Sequence, residues 1–347
     1  MNETPEYDVT VVGGGPAGLT AALYTTRLSH DTAVINRGGG RAAMMMDTHN
    51  VLGITEDVSG NEFLQTAVEQ LEGYGTDYFR DTVTAITATE DGPRRFLVEA
   101  GDVSVYTDYV VVATGFTDKR PEPPLPRTGR GLHYCLHCDA YMFVDEPVYV
   151  MGHSNSAAHV AMIMLNFTDR VDILLRGAEP TWSEKTDTLV RAHPVNIIEA
   201  DIESKFPDED DPSWLGGFEF EDGTRREYKG GFAMYGSEYN TALAESLGVD
   251  LNDDGTIAVD DHGKTNVEGV YAVGDVTPGH NQIPVALGEG AKAGISIHYS
   301  ARTFPMSLDE IEELGGEIDA AHAPAISEKL RDAAVKHEAG EVVADDD

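Results

Sequence analysis

Residues 8–18 read DVTVVGGGPAG, a β-branched run that leads directly into a glycine-rich turn. Such a run is typical of a buried strand, and residues 19–29 continue as a helical stretch with small side chains on one side. Residues 32–35 (TAVI) complete a strand–helix–strand unit. Three glycines of the turn have the G-x-G-x-x-G spacing: Gly13, Gly15 and Gly18. This spacing permits a tight turn and close approach of a pyrophosphate, so it predicts a dinucleotide-binding turn at a helix N-terminus.

A second strand–helix–strand pattern follows later in the chain. Its strand is expected at residues 147–151, its turn at 152–157 (GHSNSA) and its next strand at 171–175. Residues 118–130, rich in proline and charge, separate the two patterns and indicate a linker. The run at residues 269–275 (GVYAVGD) is again a strand that ends at glycine. The sequence therefore predicts an α/β protein with two Rossmann-like, three-layer nucleotide-binding domains, the second inserted in the first.

Composition and these patterns set the expected domain boundaries. We expect residues 1–117 and 248–302 in the first domain, 118–247 in the inserted domain, and 303–347 in an acidic C-terminal extension. Ser307 and Glu310 have the spacing of a capping box, which predicts a helix at the start of that extension.

The chain carries 61 acidic residues against 24 basic ones, a formal net charge of −37. Nucleic acid and anionic membranes repel such a surface, so neither is an expected partner. The acidic residues are spread along the whole chain, which favours a halophilic protein, since concentrated salt screens their repulsion; an acidic mesophilic protein is the alternative. Residues 1–8 do not begin a secretory signal and no apolar run is long enough to span a membrane, so we expect a cytoplasmic protein.

Residues 135–138 (CLHC) contain both cysteines of the chain. A disulfide between residues so close together cannot cross-link distant parts of a secreted fold. The pair therefore indicates either redox chemistry or half of a zinc site. His133 and His137 could add zinc ligands, but no second pair of cysteines exists, so we expect no metal. A helical stretch at residues 139–143 would favour a thiolate through its dipole. Asp139 is then either a helix cap or the group that gives and takes the proton of a leaving thiolate.

Residues 129–140 (GRGLHYCLHCDA) resemble the Gly-basic-Gly and Tyr-Cys-x-x-Cys-Asp-Gly/Ala pattern of the low-molecular-weight thioredoxin reductases. The order of parts is similar too, because residues 113–115 (ATG) precede the linker and the cysteines lie just ahead of the second glycine turn. Residues 265–275 (TNVEGVYAVGD), followed by Gln282 and a helix, resemble the second FAD segment of that family. The resemblance covers about residues 6–302.

This resemblance implies a homodimeric, FAD-dependent dithiol/disulfide oxidoreductase whose partner is thioredoxin or a similar small disulfide protein. It implies that Cys138 exchanges electrons with the flavin, that Cys135 attacks the partner and that Asp139 protonates the departing thiolate. The implied FAD contacts are Gly13, Gly15, Pro16, Ala17, Gly18, Asn36, Arg37, Arg41, Asn50, Val83, Thr114, Gly115, Gly274, Asp275, Gln282 and Ile283.

The second glycine turn departs from the family's Gly-x-Gly-x-x-Ala, because Ser154 replaces its middle glycine. Of the basic cluster that grips the 2′-phosphate of NADPH in the family, only Arg176 is present. The implied NADPH contacts are Gly152, Ser154, Asn155, Ser156, Ala157 and Arg176. NADPH is the leading electron donor. Three alternatives stay open: ferredoxin or a reduced deazaflavin as donor, a dithiol oxidase that uses oxygen, and a flavin-bound redox sensor.

Overall fold

The computed structural model describes residues 4–122, 124–125 and 128–338. The chain divides into two compact units. Unit 1 comprises the described residues up to Phe116 and from Tyr239 onward, and unit 2 is Thr117–Glu238. Residues 239–247, which the sequence analysis assigned to the inserted domain, therefore belong to unit 1. The reason is packing, since the buried Ala244 lies in an apolar core cluster of unit 1.

The elements alternate between strands and helices through both units. The strands are β1 (Glu6–Val12), β2 (Thr32–Ile35), β3 (Asp77–Phe79), β4 (Ala85–Ala88), β5 (Phe96–Glu99), β6 (Ser104–Val112), β7 (Phe116–Asp118), β8 (Leu132–His133), β9 (Val148–Met151), β10 (Val171–Leu174), β11 (Val195–Ile198), β12 (Ile202–Pro207), β13 (Leu215–Phe220), β14 (Arg225–Glu227), β15 (Gly230–Ala233), β16 (Ser237–Tyr239) and β17 (Val270–Ala272). The α-helices are α1 (Pro16–Arg27), α2 (Gly60–Tyr74), α3 (Leu136–Asp139), α4 (Asn155–Met164), α5 (Glu184–Ala192), α6 (Ala242–Ser246), α7 (Ile283–Ala301), α8 (Leu308–Glu313) and α9 (Glu328–Glu338). Short 3₁₀ helices span Ala42–Met44, Ala140–Phe143 and Ala320–His322.

Unit 1 is built on a mixed sheet with the strand order β3-β2-β1-β6-β5-β4, and β17 pairs with β6. Strand β1 is parallel to β2 and to β6, with Val12 level with Ile35 and with Val112. Because these strands are parallel, their carboxyl ends meet at one edge of the sheet, where the glycine turn begins. Helices α1 and α7 pack against each other over a core that includes Val9 and Val11.

Unit 2 is built on a parallel sheet with the strand order β11-β10-β9-β15-β8. Helix α4 follows β9 and packs against β9 and β10, which is the predicted second strand–helix–strand unit. A smaller antiparallel sheet, β12-β13-β14, adds Phe218 and Phe220 to an apolar core shared with Tyr149. Parallel strands that alternate with helices occur in both units, which confirms the predicted α/β class.

The described part of the C-terminal extension is largely helical. Ser307 and Glu310 form the predicted capping box at the start of α8. Further along, Lys329 of α9 donates to Asp77 at 2.5 Å, so this helix is tied to β3 of unit 1. Residues 339–347 of the predicted extension lie outside the described residues. Within the described ranges, no helix has the length and apolar character needed to cross a bilayer.

Candidate functional site

The first glycine turn joins β1 to α1 in unit 1. Gly15 caps α1 without a side-chain hydrogen bond, and Pro16 is the first residue of the helix. A Cβ built at Gly13 would lie 2.3 Å from the Ala113 carbonyl oxygen, and one at Gly18 would lie 2.1 Å from the Gly13 carbonyl oxygen. A Cβ at Gly15 would meet nothing within 4 Å. The turn is therefore closed on its inner side and open at Gly15, which fits a pyrophosphate that approaches the backbone at a helix N-terminus.

The segment of the predicted FAD site that follows β2 lies beside this turn. Asn36 directly follows β2, and its side-chain amide donates to the Tyr78 hydroxyl at 2.7 Å. A Cβ at Gly14 would lie 2.5 Å from the same amide nitrogen, which places Asn36 against the glycine turn. Arg37 is exposed. The structure thus keeps Asn36 where a ribose-binding residue is expected at the end of the second strand.

Four predicted FAD residues of unit 1 form two pairs that the sequence did not indicate. The Arg41 guanidinium lies 4.5 Å above the Phe116 ring, and its Nη1 is 3.6 Å from Asp275 Oδ2. The Asn50 amide donates to Gln282 Oε1 at 2.7 Å. The Arg41–Asp275 and Asn50–Gln282 contacts each bring together segments that are more than 200 residues apart in the chain.

The other predicted FAD residues have these positions. Ala17 is buried in α1, Gly115 and Gly274 have positive φ, Ile283 begins α7, and Val83 packs against an apolar core cluster of unit 1. Thr114 donates to the Asn240 carbonyl oxygen at 2.7 Å and accepts from the Asn240 amide at 2.9 Å through its own carbonyl. Asn240 was not among the predicted residues.

Glu289 is a further residue of this site that the sequence analysis missed. Its Oε2 accepts the backbone N–H of Gly274 at 2.8 Å from α7. Burial raises the pKa of the Glu289 carboxyl above its usual range. The contact fixes the turn that carries Asp275. In the sequence, the only signal for Glu289 is its position on the helix that follows Gly274 and Asp275, because a single glutamate belongs to no motif.

The cysteine pair lies in unit 2, two residues beyond β8. Cys135 and Cys138 form a disulfide with an S–S distance of 2.04 Å and a Cα–Cα distance of 5.3 Å. Cys135 is the N-cap of α3, and its Sγ accepts the backbone N–H of Cys138 at 3.2 Å. Both residues are partly exposed. A backbone donor directed at one sulfur favours negative charge on that sulfur once the disulfide opens, so the geometry favours a Cys135 thiolate.

Asp139 follows the pair and contacts a buried histidine. His133 Nδ1 lies 2.8 Å from Asp139 Oδ2. Asp139 precedes the 3₁₀ helix Ala140–Phe143 but makes no side-chain capping bond to it. Of the two predicted roles for Asp139, side-chain capping of this helix is therefore absent. The sequence indicated His133 only as a possible zinc ligand; in the described residues, no cluster of three His, Cys, Asp or Glu side chains could hold a metal ion.

The second glycine turn joins β9 to α4 in unit 2. Ser154 is the N-cap of α4, and its hydroxyl accepts the Ala157 backbone N–H at 3.5 Å. Asn155 Oδ1 accepts the Ser183 backbone N–H at 3.0 Å, and Ser156 is exposed in the first turn. A side chain that caps its own helix thus occupies the position where the fingerprint has a glycine open to a pyrophosphate.

Arg176, the remaining residue of the basic cluster, is turned to a protein carboxylate. Its Nε donates to Asp201 Oδ1 at 3.1 Å, and its side chain is only 6% exposed. Its backbone has φ of 55°, an uncommon value for arginine, and its buried Nη1 has no hydrogen-bond partner. Asp201 therefore neutralises the charge that the resemblance assigned to a 2′-phosphate.

Two Rossmann-like units and a cysteine pair at the start of a short helix define a disulfide oxidoreductase. Residues 7–290 match the family described as pyridine nucleotide-disulphide oxidoreductase. The thioredoxin reductase of Peptoclostridium litorale is 30% identical over 308 residues, which cover 83% of this chain and 95% of that protein. The thioredoxin reductase of Bacillus subtilis (strain 168) is 30% identical over 332 residues, which cover 90% and 100%. The crystal structure of thioredoxin reductase from Streptococcus pyogenes MGAS5005 has a TM-score of 0.77 at 27% identity, and covers 87% of this chain and 100% of its own.

The chain belongs to the pyridine nucleotide-disulphide oxidoreductase family, and within it to the group that resembles the low-molecular-weight thioredoxin reductases. It is an enzyme of dithiol–disulfide exchange, and its family implies a flavin and a pyridine nucleotide. The predicted family and reaction class are thereby confirmed.

Proposed function

We propose that this enzyme binds FAD in unit 1 and uses Cys135 and Cys138 to reduce the disulfide of thioredoxin or a similar small protein. The observation that carries the proposal is the Cys135–Cys138 disulfide. Its Cys135 sulfur accepts a backbone N–H, and the carboxylate of Asp139 directly follows the pair. The relatives named above support a thioredoxin-type partner. The resemblance extends the proposal to a homodimer that works in the cytoplasm.

The FAD would lie against the glycine turn and the segments that converge on it. The open side of Gly15 would face the pyrophosphate, and Asn36 would face the ribose. The paired Arg41 and Asp275 would border the rest of the cofactor. Flavin bound there supplies the two electrons that open the disulfide.

The residues of the chain then carry out two sulfur exchanges. Cys135, as thiolate, attacks one sulfur of the partner's disulfide, so that a mixed disulfide forms and the other partner sulfur departs with a proton from Asp139. Cys138 next attacks Cys135, which restores the Cys135–Cys138 disulfide and releases the second partner sulfur. Two electrons have passed from the dithiol to the partner, and the enzyme is again oxidised.

We propose that a pyridine nucleotide is the electron donor and that it binds at the second glycine turn without a strong preference for NADPH. Arg176 is committed to Asp201, and the Ser154 hydroxyl caps α4 at the position of the missing glycine. Both features weaken the grip on a phosphorylated ribose, although the parallel-sheet frame of a nucleotide-binding domain is present.

Anaerobic titration of the FAD-loaded protein tests this function. Bleaching by NADPH or NADH, followed by reduction of thioredoxin, is the expected result. Bleaching only by reduced ferredoxin or deazaflavin would show that the electron donor is not a pyridine nucleotide bound to unit 2. Bleaching by small dithiols with oxygen uptake would show an oxidase, and a single reduction without turnover would show a sensor.

Asp201→Asn is expected to tighten NADPH binding about tenfold while NADH binding changes little, because removal of one charge-assisted pair releases a phosphate-binding guanidinium. The measurement is the dissociation constant of each nucleotide from flavin-bleaching or calorimetric titration. Glu199→Gln is the matched control, since it removes one exposed carboxylate two residues away. Equal tightening by both variants would show only a change in net charge.

We propose further that the enzyme works in concentrated salt. The net charge is −37. A single guanidinium, that of Arg94, forms ion pairs with three carboxylates, those of Glu6, Asp8 and Asp108. We expect Tm to rise by about 10 °C or more as KCl goes from about 0.1 M to about 2 M, because the repulsion between carboxylates is screened. Thermal denaturation monitored by circular dichroism measures this. A rise of Tm of the same size in sucrose would show that exclusion of the solute from the protein surface, and not screening of the carboxylates, causes the effect.

A further inference from the structure

His133 is a buried histidine on β8, two residues before Cys135. Its side chain is 4% exposed and is surrounded by aromatic rings. The Phe143 ring centroid is 5.3 Å away, and those of Trp214 and Phe232 are each 6.2 Å away. A buried imidazole in such surroundings needs partners for both ring nitrogens.

The structure fixes which nitrogen carries the proton. The backbone N–H of Gly131 donates to His133 Nε2 at 3.3 Å. A backbone N–H can only donate, so Nε2 is the acceptor, and the proton of the neutral ring must be on Nδ1. Nδ1–H then donates to Asp139 Oδ2 at 2.8 Å. A second proton on Nε2 would face the N–H of Gly131.

The Gly131 peptide is itself held in place. Its carbonyl oxygen accepts from the Tyr149 hydroxyl at 2.7 Å and from the Gly231 N–H at 3.1 Å. Gly131 has φ of 97°, and a Cβ there would lie 2.7 Å from Leu215 Cβ, so only glycine fits. The backbone of the Gly-Arg-Gly segment therefore sets the tautomer of His133.

We propose that His133 is a positioning residue for disulfide exchange, whose Nδ1–H orients the Asp139 carboxylate and sets the pH range over which Asp139 gives and takes the thiol proton. The proposal rests on the proposed function. In the step concerned, the bond from Cys135 sulfur to the partner sulfur forms, the partner's S–S bond breaks, and the Asp139 proton goes to the departing sulfur. With Oδ2 held by the imidazole, Oδ1 is the oxygen that carries this proton.

Other titratable groups surround this pair on the neighbouring elements. They are Tyr149, bonded to Gly131; Lys229, 5.7 Å from the Trp214 ring; Arg130, bonded to Ser213; Asp208 and Asp211, which line a cavity of about 110 Å³ with Phe143 and Trp214; and His137, Cys135 and Cys138 on α3 and at its start. The test must therefore change His133 alone and identify the effect of Asp139 separately.

The experiment uses the FAD-loaded enzyme in its dithiol form, prepared with a small thiol reductant, and follows single turnovers across pH. One substrate is an aliphatic disulfide, whose leaving thiolate needs a proton; the other is an aromatic disulfide with electron-withdrawing groups, whose thiolate leaves without one. In the pH–rate profile for the aliphatic disulfide, the limb that disappears in Asp139→Asn is the one that depends on Asp139. Because thioredoxin is not used, failure of the proposed partner and failure of this inference are distinguishable.

His133→Leu should move that limb upward by about one pH unit, since a carboxylate that loses a donor is harder to ionise. The aromatic disulfide should react as with the wild-type enzyme. His133→Asn, whose amide can still donate to Asp139, should keep the limb in place. His193→Asn is the control, because His193 is an exposed histidine of the same unit. An unmoved limb in His133→Leu, or equal shifts in the Leu and Asn variants, would overturn the proposal.

A measurement on the wild-type protein covers the case in which the leucine variant does not fold. In ¹⁵N-histidine-labelled enzyme, the signals that His133→Asn removes should report a neutral ring with a proton on Nδ1 and a bare Nε2. A ring protonated on Nε2 would contradict the assignment of the donor to Asp139, and with it the proposal.

Discussion

Cys138→Ser is expected to lower turnover with a protein disulfide by at least about a thousandfold and to trap the partner covalently. The hydroxyl of serine is a very poor nucleophile at neutral pH, so the mixed disulfide on Cys135 cannot be resolved. The donor that favours a Cys135 thiolate is the backbone N–H of residue 138, at 3.2 Å from Cys135 Sγ. This donor survives the substitution, so Cys135 should remain reactive. The measurement is a non-reducing gel and intact mass after incubation with oxidised thioredoxin.

Cys135→Ser is the matched control, because it keeps a single cysteine in the same segment. It should be equally inactive but should yield little or no covalent complex, since the backbone hydrogen bond at 3.2 Å is accepted by the sulfur of Cys135, which this variant lacks. Far-UV circular dichroism should show that both variants keep their fold. If Cys135→Ser traps the partner and Cys138→Ser does not, the two sulfurs have the opposite roles.

The frame of the fold could be predicted from sequence because it depends on local patterns. The β-branched run before the glycine turn became β1, and the helical stretch expected at 19–29 became α1, Pro16–Arg27. The earlier start has a physical reason: proline fits the first turn of a helix, where its missing N–H is not needed. The helix expected after Gln282 became α7, Ile283–Ala301, and Pro284 lies in its first turn.

The pairs that define the chemistry could not be predicted, because each joins residues that have no motif in common. Asp201 lies 25 positions from Arg176, and nothing in the sequence shows that their side chains meet. His133 is only six positions from Asp139, but a strand, a turn and a short helix must form before they are 2.8 Å apart. A motif identifies residues that a ligand requires, whereas these contacts follow from how neighbouring elements pack.

Gly18→Ala is expected to yield a protein that retains little FAD and is destabilised by about 3 kcal/mol, the cost of overpacking a closed site. The added Cβ would lie 2.1 Å from the Gly13 carbonyl oxygen and 2.9 Å from Ala113 Cβ, so the backbone of the turn must move. Denaturant unfolding and the ratio of flavin to protein absorbance measure the two effects.

Gly15→Ala separates cofactor binding from stability. Its Cβ would meet nothing within 4 Å in the protein, so the free energy of unfolding of the FAD-free protein should stay within about 0.5 kcal/mol of wild type. FAD affinity should nevertheless fall by at least about tenfold, because the methyl group enters the space that a pyrophosphate needs beside the helix N-terminus. Gly73→Ala in α2, where a Cβ also meets nothing, is the control for FAD affinity, and it should not lower stability because alanine favours a helix more than glycine does. Full FAD retention in Gly15→Ala would mean that the dinucleotide does not lie against this turn.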